Sequence, residues 1–208
     1  MVSDGAGVGA LCTVESVSGK EALAARVSRR VDAPSPVPSV TLVQALPKGE
    51  RSELAVELAT EAGIDRIIPW QSQRCVARWE GPKAAKGVAK WRSTAATAAK
   101  QSRRLRIPRI DDLVVGKELA ARAAAVIAAG GVVALLHESA TEALTQLPLA
   151  QAPEVMLVVG PEGGLDDGEL AYLAAAGGRA VVLGPTVLRT STAAAVALGA
   201  LGALTNRW

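Results

Sequence analysis

Glu154-Val155-Met156-Leu157-Val158-Val159-Gly160-Pro161-Glu162-Gly163-Gly164 is an apolar run broken abruptly by a Gly-Pro pair. The run reads as a buried strand and the break as its exit loop. The pattern recurs in Ala180-Val181-Val182-Leu183-Gly184-Pro185-Thr186-Val187-Leu188-Arg189-Thr190. In an open α/β sheet, ligands bind in the crevice beyond the strands' carboxyl ends. Two such exits are therefore a candidate cofactor pocket.

Outward from these exits the chain alternates. Val40 to Leu46 is an apolar strand, and Glu50 to Ala62 is a helix stopped by Gly63. Arg66 to Pro69 and Cys75 to Trp79 read as short strands, and Lys83 to Gln101 as an Ala-rich helix. Lys117 to Ala129 is a helix ended by Gly130-Gly131, and Val132 to Leu136 a buried strand. Such alternation predicts an α/β fold with a mostly parallel sheet. Before it, Val2 to Val31 reads as short β segments with turns at Asp4-Gly5 and Ser18-Gly19, too few to enclose a core. Ala33-Pro34-Ser35-Pro36-Val37-Pro38 is a stiff connector, placing a domain boundary between 1–38 and 39–208.

The charge is unevenly distributed. Arg74 to Arg109 holds 11 Lys/Arg against the single acid Glu80, while the whole chain carries only +3. A basic block in an otherwise acidic protein suits a polyanion partner, RNA or DNA, although a solvated basic helix gives the same pattern. No apolar stretch reaches the ~18 residues of a membrane span. The start, Met1 to Ala10, lacks a secretory signal's basic, apolar pattern. Cys12 and Cys75 are expected as free buried thiols in a reducing cytoplasm, and the lone His137 excludes a multi-histidine metal site.

At the first exit, Gly160, Gly163 and Gly164 let backbone approach a ligand closely. Asp166 caps the following helix with Glu169 completing a capping box, and Gly177 stops it. A loop entering a helix often receives phosphate, but Glu162, Asp166 and Asp167 would repel one. Neither a dinucleotide fingerprint nor a P-loop is present. A neutral or cationic ligand fits better.

Gly160-Pro161-Glu162-Gly163-Gly164, followed by Leu183-Gly184 and Leu188-Arg189-Thr190, resembles the signature of bacterial 16S (small-subunit) ribosomal RNA (uracil-N3)-methyltransferases of the SPOUT superfamily. Gln44-Ala45-Leu46-Pro47-Lys48-Gly49, Ala59 to Pro69, Ser72-Gln73-Arg74 and Ala98 to Arg104 extend the resemblance over Val40 to Trp208. It implies a C-terminal trefoil knot, S-adenosyl-L-methionine bent into the knot loops, a homodimer, and a preceding PUA-like β-barrel. By resemblance the cofactor contacts Leu136, His137 and Glu138, then Gly160, Pro161, Glu162 and Gly163, then Leu183, Gly184, Leu188, Arg189 and Thr190.

Two departures stand out. Where the family usually continues Arg-Thr-Glu-Thr, this chain has Arg189-Thr190-Ser191-Thr192, which puts a carboxylate's role there in doubt. Residues 1–38 resemble only the second half of the barrel. That is expected from a start assigned too late, or from a truncated paralogue with weaker RNA binding.

Methylation at a uracil nitrogen needs removal of its proton and alignment with the methyl donor. Arg189 is the candidate to stabilise the uracil anion, or else pairs with a dimer-mate carboxylate. Glu162 is the candidate base, or else contacts the partner subunit, and His137 is a pocket wall. Arg74, Arg103, Arg104 and Arg106 are candidate phosphate contacts. Trp79 and Trp91 could stack on bases, but helical spacing favours Trp91 as a core anchor. Ala194, Ala197, Leu198 and Leu201 mark a close helix contact, internal or between subunits. Competing readings are a non-catalytic RNA-binding or ribosome-assembly factor with a degenerate fold, and a nucleotide-binding enzyme, which Glu162, Asp166 and Asp167 disfavour.

Overall fold

The structure, a computed structural model, describes residues 1–20 and 22–208. It contains two sheets. The first is antiparallel, ordered β1 (Val2–Ser3), β2 (Val8–Ser18), β3 (Ala22–Asp32). The Asp4 carboxylate accepts from the Ala6 and Val8 amides at 2.7 and 3.0 Å, making the turn into β2. One side of the β2–β3 hairpin stays open: Val14, Val17, Leu23 and Val27 are each more than half exposed.

The second sheet has seven parallel strands: β4 (Ser39–Ala45), β5 (Arg66–Gln71), β6 (Arg109–Ile110), β7 (Val114–Val115), β8 (Val132–Leu136), β9 (Glu154–Val159) and β10 (Arg179–Val181). The order is β10-β8-β9-β4-β5-β6, with β7 also on β5. β9 and β4 lie in the middle, and Leu42 pairs with Leu157, both fully buried. Their unbroken apolar sequences follow from burial on both faces.

Helix α1 (Arg51–Glu61) packs against α2 (Pro82–Gln101) and α5 (Thr190–Leu204), while α3 (Glu118–Ala128) packs against α4 (Asp167–Ala175) and β8. Ala194, Ala197, Leu198 and Leu201 are buried, and α5 lies along α1, so their close contact is internal. Trp91 is fully buried, donates its indole N–H to Ser52 Oγ at 2.9 Å, and meets Trp79 edge-on at 5.2 Å. It anchors the core and offers no ring to a base. No helix among the described residues is long and apolar enough to cross a membrane.

Cys75 to Trp79, expected as a strand, is an irregular loop. Local contacts hold it instead of a neighbouring strand, and the Cys75 amide donates to the Ser72 carbonyl at 3.2 Å. Arg78 donates to the Gln73 carbonyl at 3.0 Å, and the Trp79 amide donates to Gln71 Oε1 at 2.7 Å. Upstream, β5 runs through Pro69, which cannot donate to a ladder. The partner on that side is accordingly split: β6 pairs with Arg66 and Ile67, β7 with Trp70 and Gln71, skipping Ile68 and Pro69. Of the thiols, Cys75 is buried as expected, but Cys12 on the open hairpin is only partly so.

Candidate active site

The exits of β8, β9 and β10 converge on one cavity of about 410 Å³ at the carboxyl edge of the parallel sheet. Leu136, His137 and Glu138 come from the first, Gly160 to Gly164 from the second, and Leu183, Leu188, Arg189 and Thr190 from the third. The candidate cofactor contacts are thus brought together except Gly184, which lies exposed in the third loop, outside the lining.

Each wall has an identifiable support. The Asp166 carboxylate accepts from Gly168 N at 2.9 Å, and Glu169 Oε2 accepts from Asp166 N at 3.0 Å, closing the capping box. Glu169 is buried, and its second oxygen accepts from the Gln73 amide at 2.7 Å. The helix start is therefore tied to the loop after β5. A Cβ on Gly160 would come within 3.1 Å of the Leu165 amide nitrogen, so glycine permits the tight return of the loop. Thr190 Oγ1 donates to the Gly160 carbonyl at 2.7 Å and accepts from Gln44 Nε2 at 3.0 Å. This chain of bonds fixes β4, the β9 exit and the start of α5 to one another. Gln44 Oε1 is buried without a partner.

Among the charged lining residues are the guanidinium groups of Arg51 and Arg189 and the carboxylates of Glu138 and Glu162. Glu162 Oε1 accepts from the Lys48 amide at 3.2 Å, pinning the loop after β4. His137 Nδ1 accepts from Ser139 N at 3.2 Å, so a neutral imidazole carries its proton on Nε2. Val159, Val181, Leu183 and Leu188 supply apolar wall. Glycine backbone, apolar surface and charges of both signs fit a zwitterionic sulfonium nucleoside better than a phosphate ester.

The four candidate phosphate contacts separate. Arg74 Nη1 donates to the carbonyls of Gly163 and Leu165, both at 3.1 Å, so it braces the β9 exit. Arg104 donates to the carbonyls of Thr60 and Ile64, each at 2.7 Å, closing the end of α1. Burial lowers its pKa, with Asp65 acting in the opposite direction. Arg106 reaches the carbonyls of Ala6 and Ala33, tying the first sheet to the rest. The guanidinium groups of Arg104 and Arg106 hold the fold together, while that of Arg74 braces the loop and stays exposed. Arg103 is exposed as well, just past the C-terminal end of α2 and outside the cavity lining.

Arg51, Thr186, Val187 and Ala193 line the cavity without having been legible as site residues. A second cavity, of about 510 Å³, is lined by Arg66, Arg109 and Arg122, among others. All three already grip the buried Asp111, at 2.5, 3.0 and 2.8 Å.

A family model described as the RNA methyltransferase domain matches residues 33–202, which include every cavity residue. The chain belongs to the RNA methyltransferase family. Within that family it is 55% identical over 208 residues to Ribosomal RNA small subunit methyltransferase E of Mycobacterium bovis, spanning 100% of itself and 79% of that protein. With the protein of the same name from Bacillus subtilis it shares 32% over 200 residues, 94% of this chain and 77% of the relative. Ribosomal RNA small subunit methyltransferase E of Neisseria gonorrhoeae, solved bound to S-adenosyl methionine, has a TM-score of 0.84 at 26% identity, over 98% of this chain and 81% of that one. A Legionella pneumophila methyltransferase solved with the same cofactor has a TM-score of 0.82 at 29% identity, over 97% and 81%.

Proposed function

We propose that this chain methylates N3 of a uridine in 16S, small-subunit ribosomal RNA, using S-adenosyl-L-methionine. The observation that carries the reading is the convergence of three parallel-strand exits on one cavity whose charged lining includes two carboxylates and two guanidiniums. When bound there, the cofactor supplies an electrophilic sulfonium methyl group. The glycine backbone of residues 160 and 163, with Leu136, Leu183 and Leu188, would hold its nucleoside portion. Glu162 takes the uracil N3 proton on the oxygen not engaged by Lys48. Arg189, exposed at the cavity wall, stabilises the resulting uracil anion, whose N3 lone pair forms the new N–C bond as the S–C bond breaks.

The same reading includes a C-terminal trefoil knot of SPOUT type. After edge strand β10 the chain returns to the middle of the sheet, where Thr190 donates to the Gly160 carbonyl, a course such a knot requires. It also includes a division at Pro38 into a partial PUA-like β domain and a methyltransferase domain, a homodimer, and a cytoplasmic place of action where ribosomal RNA is found. Calorimetry with S-adenosylmethionine and mass spectrometry of ribosomal RNA from a deletion strain test the proposal. Micromolar binding and loss of one methylated uridine are expected. Absence of binding, or full modification without the protein, overturns it.

A further inference from the structure

Arg51 is the cavity guanidinium to which the proposed chemistry gives no role. Arg51 lines the cavity from the first position of α1, half-buried. A cation there faces the positive end of the helix, a position that favours acids. Among the described residues its guanidinium forms no ion pair or hydrogen bond, and the nearby Glu53 is taken by Lys90 at 2.9 Å. A charge placed against the local rule with no structural compensation marks a functional position.

The strand order tells what it faces. β4, whose exit leads to Arg51, lies on the opposite side of β9 from β8 and β10. The loops assigned to the cofactor follow β8, β9 and β10, so Arg51 enters from the other flank. Its backbone is held there, since Glu162 accepts from Lys48 N at 3.2 Å and the Ser52 amide donates to the Gly49 carbonyl at 3.2 Å. Beyond it on that flank come the loop after β5, with Arg78 and Glu80, and the first turns of α2, with Lys83 and Lys86.

Resting on the proposed methyltransferase reading, we infer that Arg51 binds a phosphate of the acceptor nucleotide, fixing the RNA strand so that the base enters beside Arg189. A guanidinium suits that task because it offers paired donors to phosphate oxygens. The mixed-sign cavity remains the cofactor's, and Arg51 sets the register of the substrate.

The test uses the full chain with Arg51→Ala and Arg51→Lys. Cofactor affinity is measured by calorimetry, methylation kinetics on small subunits from a strain lacking this gene, and binding of a uridine-containing RNA oligonucleotide across a salt series. For Arg51→Ala, cofactor affinity should stay within about twofold while KM for RNA rises about tenfold and kcat changes little, as for loss of one charge-assisted contact. The slope of log affinity against log salt should flatten by about 0.7, one phosphate on a single strand. Arg51→Lys should restore the slope and most of KM. A fall in cofactor affinity with an unchanged salt slope would assign Arg51 to the cofactor's carboxylate and overturn the inference. So would kinetics and slope identical to wild type. Failure of the wild-type protein to bind cofactor or methylate would instead overturn the underlying reading.

Discussion

Thr190 gives its hydroxyl proton to the carbonyl of Gly160 at 2.7 Å, joining the start of the last helix to the exit of the central strand. Gln44, from the neighbouring strand, donates to the same hydroxyl at 3.0 Å. Thr190→Val keeps the shape and removes the oxygen. Gln44 keeps its bond to the Ala45 carbonyl, but one of its Nε2 hydrogens and the Gly160 carbonyl lose their partner, so a loss of about 1–3 kcal/mol in denaturant stability is expected. Cofactor affinity should fall several-fold as the Gly160 loop loosens. Unchanged affinity in calorimetry would show that the loop is held by its glycines alone.

Arg189 lines the cavity and is exposed, so its removal should spare the fold. Arg189→Ala is expected to lower kcat by about 100-fold, the scale for losing one stabilising donor to a developing anion. Cofactor affinity should change by only a few-fold. Single-turnover kinetics with saturating RNA separates the two effects.

Asp111 is buried, and burial opposes its ionisation. The hydrogen bonds and charges of Arg66, Arg109 and Arg122 outweigh that cost and hold its pKa below the ordinary 3.8. Because the folded value is depressed, its stabilisation is present above that ordinary value and fades as pH falls through the lower one. Asp111→Asn should cost about 2–3 kcal/mol, below the roughly 3–5 kcal/mol of a fully buried pair, because Arg109 is largely solvated. Urea melts at neutral and acid pH should converge for the variant and wild type, with cofactor binding unaffected.

Tyr172 is the sole tyrosine, which makes its titration easy to follow. Burial first, then the negative charges of Glu169 and Asp166, push its pKa up to about 12. A raised folded value means stability complete below the ordinary value of 10 and lost as pH climbs toward about 12. Phenolate absorbance should therefore rise late, with a midpoint near that upper value in the folded protein. Tyr172→Phe should flatten the alkaline decline in melting temperature.

How far the sequence reached depended on the kind of signal. The strands around Leu42 and Leu157 were legible because burial on both faces leaves an unbroken apolar run. The capping box of Asp166 and Glu169 was legible because its partners are three residues apart, whereas the second bond of Glu169, to Gln73, joins distant segments and left no local trace. Cys75 to Trp79 misled because apolar alternation cannot reveal that Gln71 would take the Trp79 amide and Arg78 turn back onto the Gln73 carbonyl. Arg104 and Arg106 misled for a related reason: a run of charge looks the same whether guanidiniums face solvent or fold back onto carbonyls. Arg51 was missed because its role depends on which side of β9 its strand lies, a matter of topology.

The interruption opposite Pro69 has a last consequence. With two-residue strands on one margin of the parallel sheet and the three-residue β10 on the other, neither border offers a template long enough for a foreign strand to extend. Edge-to-edge aggregation through this sheet is thereby discouraged.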